Sequence, residues 1–232
     1  MIRIEIWSDV VCPFCYIGKR RLEQALADFP HRDQVEIEWK SFLLNPEQVT
    51  NAGQSITAYL AERKGWTLEY AREMNNYVAD MAQTVGLNYQ FDKVVVANSL
   101  QAHRLLQYAK RKQTGDAMKE ALLKAYFIDG RNIDDKQTLV NLAADGGLPN
   151  DEVLEVLADE LSFRKQVFDD VREASSLGVR GVPFFVFNRT FGISGAQPLE
   201  HFTAALTKAY DTLSPAPVSD ATDDVCTTDG NC

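Results

Sequence analysis

Ser8-Asp9-Val10-Val11-Cys12-Pro13-Phe14-Cys15 is the stretch on which the reading of this 232-residue chain turns. Before it, Ile2, Ile4 and Ile6 alternate with Arg3, Glu5 and Trp7, the period-two pattern of a strand. After it, Ile17, Leu22, Ala25, Leu26 and Phe29 recur at helical spacing, and Pro30 stands just past their end. Two cysteines thus sit where a strand hands over to a helix. Cys12 falls at the helix N-terminus, and Pro13 suits the first turn, where its missing N–H costs nothing. The amides and macrodipole at that end favour an anion, so the position predicts a Cys12 thiolate of depressed pKa. Cys15, about a turn deeper, is expected to keep an ordinary or raised one. That asymmetry implies thiol–disulfide exchange, in which Cys12 forms a mixed disulfide with a client and Cys15 resolves it. Half of a metal site, or two small buried apolar residues, is the bland alternative. The strand–Cys-x-x-Cys–helix context weighs against it.

Working outward, residues 35–43 (VEIEWKSFL) form a second β-rich run, broken by Asn45-Pro46. This makes a β-α-β opening, suited to a parallel pair with a helical crossover. From about 55 to 178 the pattern is helical. Leu68, Ala71, Met74, Val78, Met81 and Val85 mark one long amphipathic helix with Gly86 at its C-cap. Further helices are expected at about 98–108, 116–128, 136–145, 150–157 and 159–177. Strand character returns at 184–188 (FFVFN) and 191–194 (FGIS), a hairpin, and a last helix covers about 198–213. The expected organisation is an α/β domain from residues 1–46 and 179–213, an inserted all-helical domain at 47–178, and a polar tail at 214–232. That tail is expected to be mobile, since its composition cannot bury apolar surface.

The net charge of −9 makes nucleic acid a poor partner. No stretch approaches the roughly 20 apolar residues needed to span a bilayer. With Met1 as the start, the N-terminus lacks the basic and continuously apolar regions of a secretory signal, so the expectation is a cytoplasmic protein without a membrane partner. The four cysteines fall in two pairs, Cys12/Cys15 and Cys226/Cys232, which in that compartment speaks for redox or metal chemistry rather than structural stapling.

Gly181-Val182-Pro183-Phe184 stands at the entrance of the later strand run. If the Val182–Pro183 bond is cis, the loop offers the Val182 backbone beside Cys12, where an extended client chain can pair. An ordinary trans proline starting a strand is the alternative. Together, SDVVCPFCYIGKRRLEQAL, the NP after the second strand, NSLQAHRLLQYA, GVRGVPFFVFN and GISGAQ resemble the DsbA-like thioredoxin-fold family, and within it the cytoplasmic FrnE-type branch. The resemblance covers about residues 2–213. It implies a thioredoxin fold with an inserted all-helical domain, a nucleophilic Cys12, a resolving Cys15, a cis Pro183, and tuning of the potential by the dipeptide between the cysteines. Kappa-class glutathione transferases and 2-hydroxychromene-2-carboxylate isomerases share this architecture but typically carry serine where Cys12 stands.

The tail pair Cys226 and Cys232 admits three readings. It is an auxiliary redox centre that exchanges electrons with Cys12–Cys15, as similar pairs in FrnE-type proteins imply; it is idle; or it completes a four-cysteine zinc site, for which its spacing is poor. Pro13, Phe14, Val182 and His103 are candidate substrate-binding residues, with Phe184 adding to an apolar client patch; a packed His103 is the alternative. Glu36, Glu38, Lys40 and Asp9 are candidates for a proton relay to Cys15 if buried, and are merely solvated if not. The activity expected is that of a disulfide oxidoreductase or isomerase of protein thiols, needing no cofactor and no metal. Its electron partner is glutathione, the thioredoxin system or an oxidant under oxidative stress, and it is a monomer or homodimer. Glutathione-dependent isomerisation or transfer on a small aromatic substrate, and a zinc-binding or chaperone-like module, are the competing functions.

Overall fold

The computed structural model describes residues 1–213; Cys226 and Cys232 lie outside the described residues. The chain runs β1 (Ile2–Ser8), α1 (Pro13–Ala27), β2 (Val35–Ser41), β3 (Asn51–Ser55), α2 (Ile56–Lys64), α3 (Leu68–Gln83), β4 (Val95–Val96), α4 (Leu100–Arg111) and α5 (Gly115–Phe127). It continues through α6 (Lys136–Asp145), α7 (Asn150–Ala158), α8 (Arg164–Ser176), β5 (Phe184–Phe187), β6 (Phe191–Ser194) and α9 (Leu199–Asp211).

A four-stranded sheet of order β2-β1-β5-β6 carries the thioredoxin-like unit. β1 and β2 are parallel, joined across α1, while β5 runs antiparallel to β1 and continues into the β5–β6 hairpin. Ile4 pairs with Phe187 and Trp7 with Phe184, so the two ends of the sequence meet in one sheet. Ile2, Ile4, Ile6, Phe185 and Phe187 are fully buried, and α1 packs beside α9 on one face. This α/β thioredoxin-like fold with a helical insertion agrees with the sequence expectation.

The inserted stretch is not helical throughout. Asn51 of β3 pairs with Val96 of β4 in a small antiparallel sheet, and about ten residues between α3 and β4 are irregular. Asn51–Ser55 (NAGQS) is almost wholly exposed and pairs through its backbone, so no apolar alternation marked it. The last helices also start and stop elsewhere: α8 begins at Arg164, after a turn in which Phe163 adopts a positive φ of 58°. α8 covers β2, where the Asp170 carboxylate accepts from the Ser41 N–H at 2.8 Å and its carbonyl accepts from the Trp7 indole at 2.9 Å.

Candidate active site

Cys12 caps α1 with extended backbone angles, and Pro13 opens the first turn. The Cys15 N–H donates to the Cys12 carbonyl at 3.1 Å, which holds the two thiols one turn apart. Both are free and buried. The Val182–Pro183 peptide is cis, and the Cys12 thiol donates to the Val182 carbonyl at 3.4 Å. That loop can lie so close to α1 because residue 18 is glycine: a Cβ there would stand 3.1 Å from both Pro183 Cγ and Phe185 Cζ. On the opposite side the Tyr89 hydroxyl donates to the Pro13 carbonyl at 2.7 Å, tying the first turn of α1 to the insertion.

Three polar groups lie beneath the thiols in the core. Asp9 is fully buried; its carboxylate accepts from the Leu44 N–H at 2.7 Å and lies 3.1 Å from His103 Nε2. Burial pushes the Asp9 carboxyl up, but the hydrogen bond and charge of His103, then the Leu44 amide, outweigh it and hold it below its ordinary value. Burial pushes His103 down against the pull of Asp9. The pair is therefore a carboxylate and a neutral imidazole protonated on Nε2, a tautomer inferred from the contact and from the unpartnered Nδ1.

Lys119 of α5 is the third group. It is fully buried, with its ammonium 3.5 Å from the Ser8 carbonyl and over the Trp39 ring at 5.4 Å. Burial pulls it down to about 8, against the opposing fields of Cys15, Asp9 and Cys12. The buried Ser8 hydroxyl stands beside Cys15, where it can donate to the ionised sulfur.

The two thiols titrate as one unit. Burial pushes Cys15 up, but the hydrogen bond with Cys12, the charge of Lys119, the Ser8 hydroxyl and the Asp9 backbone bring it below its ordinary value. Cys12 is pushed well up by its hydrogen bond to Cys15, by burial and by the charge of Cys15, with the Cys15 amide pulling the other way. The helix N-terminus favours an anion on Cys12, and the buried cation that the insertion places behind Cys15 favours the same anion on Cys15, so the pair shares it.

What sets Cys12 apart is access. It lines a cavity of about 450 Å³ between the thioredoxin-like unit and the insertion, and Cys15 does not. Val11, Pro13, Phe14, Gly181 and Val182 form one wall; α2, α3 and the segment before α4 form the other. Of the residues singled out from sequence, Cys12, Pro13, Phe14 and Val182 come together here, with Pro183 buried behind them. His103 does not line the cavity: it sits fully buried against Asp9, so the packed reading replaces the groove-lining one. Phe184 also turns away, packing with Trp7 and Val179. Glu36 is exposed, and Glu38 and Lys40 belong to a network with Arg3, Glu5, Lys110, Asp170 and Glu173 on β2 and its neighbours. The cation felt at Cys15 is Lys119, which sequence reasoning passed over.

Among the described residues no helix is long and apolar enough to cross a membrane. The profile of the family described as DSBA-like thioredoxin domain matches residues 3–207. A probable DsbA oxidoreductase from Streptomyces coelicolor shares 41% identity and a TM-score of 0.87, over 99% of this chain and 98% of that one. The cytosolic disulfide reductase DsbM from Pseudomonas aeruginosa, also solved with GSH, shares the fold at 18% identity and a TM-score of 0.65, over 91% and 100% of the chains. YwbO, an uncharacterised protein of Bacillus subtilis, is 26% identical over 208 residues, 88% of this chain and 96% of its own length.

Proposed function

The chain belongs to the DSBA-like thioredoxin domain family and is a DsbA-like thiol oxidoreductase, and from that premise we propose that it exchanges disulfides with protein clients through Cys12-Pro13-Phe14-Cys15. The observation that carries this reading is the position of Cys12, on the cavity wall at the head of α1 and within 3.4 Å of the Val182 carbonyl. In the reducing direction, the Cys12 thiolate attacks a client disulfide, the Cys12–client bond forms, and the client's other sulfur leaves as a thiolate. Cys15 then attacks Cys12, closing the intramolecular disulfide and releasing the second client thiol, so two electrons pass to the client. The oxidising direction is the reverse.

A proton moved along the Cys12–Cys15 contact exchanges a Cys15 thiolate for a Cys12 thiolate without leaving the site. Lys119 and the Ser8 hydroxyl stabilise the anion whenever it rests on Cys15, which is the state that resolves the mixed disulfide. Pro183 and Val182 present the backbone to an extended client, and Phe14 contributes exposed apolar surface beside it. In this reading residues 1–46 and 179–213 carry the thiols, and 47–178 supplies Lys119 and the far wall of the cavity.

The ordered motifs support the FrnE-type branch and a cytoplasmic setting, with Cys226 and Cys232 as an auxiliary pair. DsbM solved with GSH supports glutathione as an electron partner. The deciding measurement is the potential of Cys12–Cys15 by redox-buffer titration, alongside the protein with Cys226 and Cys232 replaced by serine. A value near or above about −200 mV identifies a disulfide donor or isomerase, and one near about −270 mV a reductase. If no disulfide forms at any poise, the reading fails.

A further inference from the structure

We propose that the cavity beside Cys12 is a binding site for a small, largely apolar disulfide carrying a carboxylate, which the Cys12–Cys15 pair reduces directly. The proposal rests on the thiol-exchange reading above and assigns it a second class of substrate.

Three observations carry it. At about 450 Å³ the cavity has the size of a small-molecule site rather than a shallow groove. Beyond Cys12 its walls are mainly apolar, with Leu60, Val78, Phe91, Val96, Ala97 and Phe127 among them. Among the polar side chains that also line it, Asn75 donates to the Thr57 hydroxyl at 3.0 Å, Asn45 donates to Gln48 at 2.9 Å, and the Tyr59 hydroxyl accepts from Arg63 at 3.2 Å; Ser99 and Tyr126 add two hydroxyls. A peptide backbone carries a donor and an acceptor at every residue, more than these side chains can meet, and each one left over costs about 1–3 kcal/mol; an aromatic or alicyclic body leaves none.

The third observation is charge. Arg63 and Lys64 line the same cavity and are exposed, and among the described residues neither meets a carboxylate. The Arg63 guanidinium is held by two neutral oxygens, the Tyr59 hydroxyl and the Leu44 carbonyl, each at 3.2 Å. In a chain of net charge −9, two uncompensated cations beside an apolar cavity favour an anionic occupant. A body seated against the apolar walls with its carboxylate at Arg63 can also bring a sulfur to Cys12, since all three line one space.

The reaction balances within one turnover. The Cys12 thiolate attacks one sulfur of R–S–S–R, the substrate S–S bond breaks, and R–S⁻ leaves and takes a proton from water. Cys15 attacks Cys12, and the second R–SH departs as the protein disulfide closes. The protein dithiol loses two electrons and the substrate disulfide gains them.

The test uses pre-reduced full-length protein with Cys226 and Cys232 replaced by serine, in single-turnover stopped flow. The probes are 5,5′-dithiobis(2-nitrobenzoate), neutral 2,2′-dithiodipyridine and an extended peptide disulfide. The expected result is a rate that saturates with the anionic aromatic probe. In Arg63→Gln/Lys64→Gln its half-saturation concentration rises at least tenfold, while the neutral probe and the peptide stay within twofold. Binding of the non-exchanging 5-methylthio-2-nitrobenzoate to Cys12→Ser/Cys15→Ser, followed by tryptophan fluorescence, is expected to weaken in parallel. Rates that stay linear in both aromatic probes, or an unchanged response in the charge variant while peptide exchange persists, overturn the small-molecule site and leave thiol exchange standing. Absence of exchange with all three probes overturns both.

Discussion

Replacing Lys119 by methionine tests the arrangement beneath the thiols, because stability and redox chemistry should move in opposite senses. Burial takes the lysine from its ordinary 10.5 to about 8. At about 1.4 kcal/mol per pH unit, keeping that ammonium charged in the core at pH 7 costs about 3 kcal/mol. Methionine removes the cost but also the contact over Trp39 and the one to the Ser8 carbonyl, together worth about 1–2 kcal/mol. Reduced Lys119→Met is therefore expected to be more stable than wild type at pH 7 by about 1–2 kcal/mol. The folded pKa lies below the unfolded one, so the unfolded chain binds more protons between about pH 8 and 10.5. Wild type accordingly gains stability as pH rises through that window, with the penalty fully present below it. The advantage of the variant should shrink from pH 7 to pH 10 in urea titrations. The Cys15 thiolate meanwhile loses its cation, so the reduced state is disfavoured and the potential should fall by about 30 mV for each tenfold loss of thiolate stability. A variant less stable than wild type at pH 7, or a difference constant across pH 7–10, would refute the assignment of a charged, strained lysine. An unchanged potential would refute its action on the thiols.

Gly18→Ala is expected to cost about 1–3 kcal/mol in chemical denaturation and to slow alkylation kinetics at Cys12, since its Cβ would press on Pro183 and Phe185 at 3.1 Å. His103→Leu should lose about 2 kcal/mol and move the acid-unfolding midpoint to higher pH. The Asp9 carboxylate, depressed by His103, contributes stability that is lost as pH falls through its folded pKa, and that pKa rises when the imidazole goes. Glu38 is pulled down to about 2 against burial by Arg3, Lys110 and Lys40. Glu38→Gln should therefore lose about 1–2 kcal/mol at pH 7, after allowing for the partial exposure of the carboxylate, and flatten the stability profile between pH 4.5 and 2.

The parts of this fold that were legible in sequence are those in which one local pattern has one physical outcome. Alternation at Ile2, Ile4 and Ile6 makes a strand, Pro13 opens a helix, and two short β runs around Asn188-Arg189 make a hairpin, both turn residues adopting positive φ. That the two ends share one sheet follows from the element order, a β-α-β opening and a closing hairpin around a helical stretch, whereas the register that sets Ile4 against Phe187 has no local signal. β3 escaped because an exposed strand held by its backbone has no apolar signature. Lys119 escaped for a different reason. It sits in the stripe Lys119, Leu122, Leu123 and Tyr126, at i, i+3, i+4 and i+7, all buried. A charge on the apolar face of a helix is itself the signal, and pattern counting treats it as noise. The same stripe explains why the insertion is more than a cover for the thiols. An α5 packed on its apolar residues alone would avoid the cost of burying a charge, and the cation it carries instead stands at the Ser8 carbonyl, over Trp39 and in the fields of Cys15, Asp9 and Cys12.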